Sequence, residues 1–328
     1  MLAIVFHNYG SPDVLKLEEV QKPVAQENEV LVKVVAASAA AGDWHRMRGA
    51  PYLLRLSEGL LNPKNPRLGA SVAGRVEAVG KNVTQFHPGD AVFGDLSASG
   101  FGAFAEYVAA PESAFVLKPT NLTFEQAAAV PVSAVTALQG LTDLGRIQPG
   151  QKVLINGASG GVGTFAVQLA KALGAEVTGV CSTGKVAMVR ALGADHVIDY
   201  TKEDFAQSGK QYDLILAANG YQPLSAYQRA LAPQGIYVTT GGSMQQMLEA
   251  MILGPLRSKQ GGQTIGNLLA KPNQKHLSIV KDLIEAGKVT PVIDKCFPLH
   301  DVADAVRHVE AGHAKGKVVI AVEHNGTP

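Results

Sequence analysis

The sequence has few cysteines and no cluster of them. Cys181 and Cys296 are the only two, and neither belongs to a C-x-x-C pair. Two separate cysteines exclude a disulfide framework, and the missing pair excludes the usual zinc knuckle and a dithiol redox couple. We therefore expect the protein to work in a reducing compartment.

Long apolar runs and blocks of like charge are missing as well. No run reaches the roughly 18 apolar residues that a membrane-spanning helix needs. The N-terminal segment MLAIVFHNYGSPDVLKLEEV carries charge and proline where a signal peptide has an apolar core. Lys and Arg number 29 and Asp and Glu 28, so the net charge is +1 and no basic stripe is available for nucleic acid or an anionic membrane. The sequence predicts a cytoplasmic protein with neither of these partners.

The pattern that is present fits a globular protein of two domains. The 328 residues, 46% of them hydrophobic, can fill more than one core. Residues 1–120 contain strand-length segments separated by turn residues and predict an irregular β domain. In residues 121–270 apolar strands alternate with helical segments, which predicts a parallel sheet covered on both faces. Residues 271–328 mix both patterns, and we expect them to return to the first domain.

A glycine-rich turn joins one predicted strand to a helix. The stretch VLINGASGGVG runs from an apolar segment into glycines spaced G-x-x-G-x-x-G, and TFAVQLAKALGA follows as a helix. This spacing lets the backbone turn tightly and approach a pyrophosphate, while the helix N-terminus directs free N–H groups at the phosphates. A purely structural turn has the same spacing, but the strand EVTGVCS that comes next favours a dinucleotide site. Its predicted contacts are Gly157, Ser159, Gly160, Gly161, Val162 and Gly163.

The end of that second strand indicates which dinucleotide binds. An NAD site usually places Asp or Glu there to bind the ribose 2′-hydroxyl. This strand instead ends near Ser182 and Lys185, whose hydroxyl and ammonium groups could receive a 2′-phosphate. The sequence therefore predicts NADPH; the alternative is that Lys185 is a solvated residue opening the next helix.

Nearly the whole chain resembles the zinc-independent, quinone-oxidoreductase-like branch of the medium-chain dehydrogenase/reductase superfamily. The segments that carry the resemblance, in family order, are YGSPDVLKLEEV, HPGDAVFG, GASGGVGTFAVQLAKALGAEVTGV, LGADHVIDY and GKVVI. The resemblance implies an α/β fold, in which a GroES-like β-barrel catalytic domain accompanies a Rossmann domain with a doubly wound parallel sheet that binds NADPH. It also implies an active site in the cleft and a homodimer formed through the last strand of the cofactor domain, within GQTIGNLLA.

The same resemblance implies further cofactor contacts. Thr136, Asn219, Gly241 and Gly242 would line the nicotinamide side, and Tyr200 would lie near the adenosine end. Plainer alternatives remain, because Thr136 could be an ordinary helix residue and Tyr200 could pack at a strand end.

The ligands of a catalytic zinc are absent from the sequence. Zinc-dependent members carry a cysteine where this chain has AASAAAGD, and Gly-His-Glu where it has Gly69, Ala70 and Ser71. They often add a four-cysteine lobe, which is missing here too. The histidines at 45, 87 and 196 are isolated and are more typical of surface or packing positions. We expect no metal site, because three protein ligands are not available.

Without a Lewis acid, an alcohol is hard to oxidise because the alkoxide has nothing to stabilise it. A quinone or an enone accepts hydride at carbon and spreads the charge onto oxygen, where hydroxyls, backbone N–H groups or water can stabilise it. We therefore expect an NADPH-dependent, zinc-independent reductase of quinones or α,β-unsaturated carbonyls. The alternatives are an NADPH-binding sensor or partner protein with weak or no catalysis, and a zinc-independent alcohol dehydrogenase.

The candidate catalytic residues are Tyr52 and Asp43. Tyr52 could donate a proton or hydrogen bond to the acceptor, or simply pack in its apolar loop, and Asp43 could do no more than cap its loop. The branch commonly has asparagine at the position of Ala40 and aspartate at that of Ser71, so the usual polar arrangement is altered. The apolar segments PYLLRLSEGLLNPKNPRLG and SMQQMLEAMILGPLRSKQGG predict a roomy pocket for a small hydrophobic carbonyl or quinone.

Overall fold

The computed structural model describes residues 1–220, 222–241, 249 and 262–323. The chain folds into two compact units. Unit 1 contains Met1–Val132, Lys271–Glu285 and the described residues from Pro291 onward. Unit 2 contains the described residues of Ser133–Ala270 together with Ala286–Thr290.

The secondary structure of the described residues mixes strands and helices. The strands are β1 Leu2–Val5, β2 Lys16–Glu19, β3 Glu29–Ala39, β4 Ser71–Val79, β5 Ala91–Asp95, β6 Tyr107–Pro111, β7 Phe115–Leu117, β8 Lys152–Asn156, β9 Glu176–Cys181, β10 His196–Asp199, β11 Tyr212–Ala217, β12 Leu231–Thr239, β13 Thr264–Asn267, β14 Ile293–Pro298 and β15 Lys317–Ala321. The helices are α1 Ala41–Arg48, α2 Arg55–Glu58, α3 Phe124–Ala128, α4 Pro131–Gln139, α5 Gly161–Ala172, α6 Val186–Ala191, α7 Leu224–Ala230, α8 Gln274–Glu285 and α9 Val302–Glu310.

Unit 1 is built on a mostly antiparallel sheet. Its strand order is β14-β15-β3-β4-β5-β7, and β6 also pairs with β3. The long strand β3 is rich in Val and Ala, packs well on a pleated surface, and buries Val32 and Val34 completely. Strand β15 comes from the end of the chain and pairs with β3, so the C-terminal segment contributes Val318 and Ile320 to the same core.

Unit 2 contains a parallel sheet, as the alternation of strands and helices predicts. Its strand order is β10-β9-β8-β11-β12-β13, and the described pairings are all parallel. The inner strands are buried along nearly their whole length, as expected when helices cover both faces. The order reverses at β8, which has β9 on one side and β11 on the other, and ligands of open parallel sheets bind at such a switch point.

The first unit boundary lies beyond the predicted position at residue 120, whereas the chain passes from unit 2 to unit 1 after Ala270, at the predicted position. Unit 1 continues to Val132 because α3 packs against β3 and β4 and buries Ala127 and Ala128. The segment Ala286–Thr290 belongs to unit 2. There the side-chain amide of Gln168 accepts the Thr290 N–H at 2.8 Å and donates to the Thr290 carbonyl at 3.0 Å.

Across the described ranges, the helices are all too short or too polar to cross a bilayer.

Candidate cofactor and active site

The glycine-rich turn follows β8 and leads into α5. Gly157 has φ +80°, a left-handed conformation that favours glycine, and a Cβ there would lie 2.8 Å from the backbone N of Asn219. A Cβ at Gly163 would lie 2.0 Å from the Gly157 carbonyl oxygen. Both positions must be glycine for the helix to begin this close to the strand.

Gly160 differs from Gly157 and Gly163 because the space beside it is open. It is the N-cap of α5 with an ordinary φ of −87°, and among the described residues a Cβ there would meet only the Gly157 carbonyl, at 3.6 Å. No side chain of the described residues caps the helix, and the N–H groups of Gly161, Val162 and Gly163 have no acceptor within it. Open space in front of an uncapped helix N-terminus fits a bound pyrophosphate. The turn, in which Ser159 is buried, therefore fits a dinucleotide.

The other predicted cofactor residues of unit 2 lie mainly at the carboxyl edge of its sheet. Ser182 follows β9, Tyr200 follows β10, Asn219 follows β11 and Gly241 follows β12. Because parallel strands end at the same edge, the fold brings these residues together beside the glycine turn. Thr136 is buried on α4, and Gly242 lies outside the described residues.

The segment predicted to receive the 2′-phosphate forms a tight turn after β9. Ser182 precedes a 3-10 turn, Thr183–Lys185, which the Lys185 N–H closes by donating to the Ser182 carbonyl at 2.9 Å. Ser182 and Lys185 are half-buried, whereas Tyr200 is exposed. The Tyr200 N–H donates to the Cys181 carbonyl at 3.1 Å, which ties the ends of β9 and β10 together.

A carboxylate stands at this edge that was not expected from the end of β9 alone. Asp199 ends β10 and accepts the hydroxyl of Thr183 at 2.6 Å and that of Thr201 at 2.7 Å. The Thr183 hydrogen bond, together with the donors of Thr201 and Lys202, lowers the pKa of Asp199 to about 2. The strand register aligns Asp199 with Cys181, so the neighbouring strand supplies the carboxylate that β9 lacks.

In unit 1 the two candidate catalytic residues have opposite surroundings. Asp43 is 2% exposed, and its carboxylate accepts the N–H groups of Ala40 and Gly69, each at 2.8 Å. Tyr52 is 77% exposed and lies under the guanidinium of Arg55. No hydrogen bond joins Asp43 to Tyr52 in the part of the chain that the structure describes. The geometry of Asp43 matches the capping role that was its alternative.

Lys317, the first residue of β15, was not predicted to be a functional residue. It is 3% exposed, and burial lowers the pKa of its ammonium to about 8, although the charges of Asp43 and Asp95 oppose this shift. Burial also raises the pKa of both carboxyls. The only signal in the sequence is the lysine that interrupts the apolar segment GKVVI.

The positions that resemble zinc-ligand positions carry small side chains. Ala40 is the N-cap of α1, Ala70 is buried, and the buried Ser71 hydroxyl accepts the Val132 N–H at 3.3 Å. Strand pairing sets Ser71 between Ser38 and Asp95. The described residues contain no group of three His, Cys, Asp or Glu side chains able to hold a metal ion.

Comparison with known proteins identifies the family. Residues 26–120 match the family model described as alcohol dehydrogenase GroES-like domain, and residues 192–320 match that of zinc-binding dehydrogenase. The 2-methylene-furan-3-one reductase of Solanum lycopersicum is 36% identical over 98% of this chain and 79% of its own length. The chain belongs to the medium-chain dehydrogenase/reductases, in their quinone-oxidoreductase-like branch. The predicted membership is confirmed.

Two further members of this branch resemble the chain over nearly its whole length. The chloroplastic NADPH-dependent alkenal/one oxidoreductase of Arabidopsis thaliana is 35% identical over 98% of the chain and 79% of its own length. The quinone oxidoreductase structure from Coxiella burnetii matches with a TM-score of 0.88 and 30% identity, covering 98% of this chain and 99% of its own. The predicted combination of a GroES-like domain and a Rossmann domain is thereby confirmed, while the roles of single residues stay predictions.

Proposed function

We propose that this protein is an NADPH-dependent reductase of quinones and α,β-unsaturated carbonyls that works without zinc. The observation that carries the proposal is the open, uncapped N-terminus of α5 behind Gly157 and Gly160. The names of the relatives support the reaction: one is an NADPH-dependent alkenal/one oxidoreductase and another a 2-methylene-furan-3-one reductase. The Coxiella burnetii structure is that of a quinone oxidoreductase.

Different residues of unit 2 bind different parts of NADPH. The N–H groups at the start of α5 bind the pyrophosphate, because they have no acceptor within the helix. Ser182 and Lys185 bind the 2′-phosphate, Tyr200 lies at the adenosine end, and Thr136, Asn219, Gly241 and Gly242 position the nicotinamide. When bound, the nicotinamide supplies the hydride. The chain contributes the position of the two reactants.

The acceptor is proposed to bind against an apolar surface of unit 1. Between residues 52 and 61, five large hydrophobic side chains are exposed, more than anywhere else in the described chain: Tyr52, Leu53, Leu56, Leu60 and Leu61. An exposed apolar cluster of this kind marks a binding surface. It fits a hydrophobic quinone or enone, and the two ionic side chains of the segment are bonded within unit 1, Arg55 to the Gly49 carbonyl and Glu58 to Arg46.

Zinc is not part of the proposed mechanism. Ala40 and Ala70 have no ligand atoms, and the oxygens of Asp43 are already bonded to backbone N–H groups. The negative charge that builds on the acceptor oxygen is instead stabilised by hydroxyl groups, backbone N–H groups or water. Water supplies the proton, since the exposed Tyr52 hydroxyl is not held in one position by the described residues.

Assembly and compartment complete the proposal. Strand β13 is the outer strand of the sheet that the described residues of unit 2 form, and an edge strand can pair with a second chain. We propose a homodimer in the cytoplasm. Light scattering at micromolar concentration would give the mass of a dimer, and a monomer would contradict this part.

Steady-state oxidation of NADPH tests the activity. Purified protein is assayed with a panel of quinones and enones, with and without a chelator, and turnover that survives the chelator is expected. Tight NADPH binding with no turnover on the whole panel would favour a sensor or partner protein. Alcohol-dependent reduction of NADP⁺ would favour an alcohol dehydrogenase, and one tightly bound zinc per chain would refute the metal-free mechanism.

A further inference from the structure

The ends of β9 and β10 are joined through a single carboxylate, that of Asp199. Its two oxygens share three donors: Thr183 Oγ1 at 2.6 Å on one side, and Thr201 Oγ1 at 2.7 Å and Thr201 N–H at 3.1 Å on the other. The two threonine hydroxyls also lie 3.0 Å apart. The Lys202 ammonium is 3.4 Å from the same carboxylate.

These contacts lie within the segment that is proposed to read the cofactor's ribose. Thr183 is the first residue of the turn that contains Lys185, and it directly follows Ser182. Tyr200 lies between Asp199 and Thr201. The carboxylate thus stands beside the end of β9, one strand away from the position where an NAD site keeps an acidic residue for the ribose 2′-hydroxyl.

A carboxylate at this edge can favour binding of NADH and oppose binding of NADPH. With oxygens free, it would accept hydrogen bonds from the ribose hydroxyl of NADH and repel the 2′-phosphate of NADPH. With oxygens bonded to hydroxyl donors, it has fewer free acceptor sites, and the donors hold the charge in one orientation. The arrangement in this chain is the second one, because Thr183 and Thr201 both donate to it.

We propose that Thr183 and Thr201 hold Asp199 away from the ribose site and so set the preference for NADPH over NADH. This inference rests on the proposed NADPH site at Ser182 and Lys185. Asp199 is the specificity-determining group, and the two threonines are positioning residues that act through it.

The test uses the intact protein with both threonines replaced by valine. Valine keeps the branched shape but removes both hydroxyl donors, so that only the Thr201 N–H and the Lys202 ammonium still hold the carboxylate and it can turn toward the ribose. The ratio of the Kd for NADPH to the Kd for NADH is expected to rise at least about tenfold, the factor that 1.4 kcal/mol gives. Binding of 2′,5′-ADP should weaken in parallel, and binding of 5′-AMP should not.

A triple variant adds Asp199→Asn to the two valines. It distinguishes an effect of the Asp199 charge on NADPH binding from a structural change in the turn. If the freed carboxylate causes the loss, the triple variant recovers NADPH affinity to within about threefold of the wild type, because the repulsion is gone. A triple variant that binds NADPH as weakly as the double variant would overturn the inference. Thr183→Ser should keep the wild-type preference, since serine retains the hydroxyl.

Two controls complete the design. Asp204→Asn is the matched change, because Asp204 also begins a short turn in unit 2 and accepts the Ala206 N–H at 2.9 Å; it should leave the ratio unchanged. Lys185→Ala tests the underlying site. If it weakens NADPH alone while the valines change nothing, only this inference fails; if both leave NADPH binding intact, the proposed 2′-phosphate site fails with it.

Discussion

The carboxylate of Asp43 accepts the backbone N–H of Gly69 at 2.8 Å and thereby fixes the turn before β4 to the start of α1. Its other oxygen accepts the N–H of Ala40, also at 2.8 Å. Both donors come from segments where zinc-dependent relatives carry metal ligands. One buried side chain therefore joins these two segments through their backbone N–H groups.

Asp43→Asn should destabilise the fold. An amide has one acceptor oxygen where the carboxylate has two, so either the Gly69 or the Ala40 N–H loses its partner in a buried place. Leaving a buried donor unsatisfied costs about 1–3 kcal/mol. Urea denaturation measures the loss; the exposed Asp282→Asn on α8 is the control, and equal stability of both variants would contradict the capping role.

The stability of the protein should rise as the pH increases from about 8 toward 10, through Lys317. Burial lowers the pKa of this ammonium from 10.5 to about 8. In that window the folded lysine has lost its proton and the unfolded one keeps it, so the unfolded state binds more protons and the free energy of unfolding increases with pH. The gain is at most about 3 kcal/mol.

Lys317→Met provides the comparison for that pH dependence. Methionine has no titrating group, and the remaining Tyr, Cys and Lys residues titrate in both proteins. Denaturation curves at a series of pH values should therefore show a steeper rise in the wild type than in the variant. Parallel curves would mean that Lys317 has the same pKa in the folded and the unfolded protein, which would contradict the prediction.

Local sequence was sufficient to predict the parallel sheet and the glycine turn. Strand, turn and helix are contiguous there, and the glycines that define the turn, Gly157, Gly160 and Gly163, lie within seven residues of sequence. The neighbours of Asp43 could not be predicted in the same way. Lys317 reaches it only because β15 pairs with β3, and no periodicity in either segment specifies that partner.

The same limit explains the carboxylate beside the 2′-phosphate segment. The usual rule inspects the end of β9, where this chain has no acid. Asp199 belongs to the next strand and is brought alongside by the parallel register of β10 with Cys181. The pocket-lining expectation for residues 243–262 falls mostly outside the described residues.

Gly160→Val and Gly163→Val should fail in different ways. Valine at 160 finds open space and an extended backbone, so the variant should fold but bind NADPH and NADH equally poorly, because the side chain occupies the pyrophosphate position. Valine at 163 would clash with the Gly157 carbonyl, since its Cβ would lie 2.0 Å away. Thermal unfolding and nucleotide titration together distinguish the two; tight binding by folded Gly160→Val would argue against the site.

The exposed leucines should affect the acceptor and not the cofactor. Leu53→Ser and Leu61→Ser should raise KM for a hydrophobic enone several-fold, while the Kd for NADPH stays the same. Val24→Ser is the matched control, since Val24 is an equally exposed residue of unit 1 (73%, against 74% for Leu53) outside this segment.

Tyr52→Phe should leave kcat within about threefold, because water can replace an exposed hydroxyl, whereas loss of a held general acid costs about a hundredfold or more.

Lys185→Ala should weaken NADPH binding and leave NADH almost unchanged. The lysine closes the turn after Ser182 through its backbone N–H, which alanine retains, so the change removes the ammonium without removing the turn. A charge-assisted contact to phosphate contributes about 1.5–3 kcal/mol, which corresponds to at least a roughly tenfold loss of affinity. Fluorescence titration with both nucleotides measures it, and Lys210→Ala, which changes an exposed lysine of unit 2 outside this segment, shows how much of the effect is general charge. Equal losses of NADH and NADPH in Lys185→Ala would mean that this lysine does not contact the 2′-phosphate.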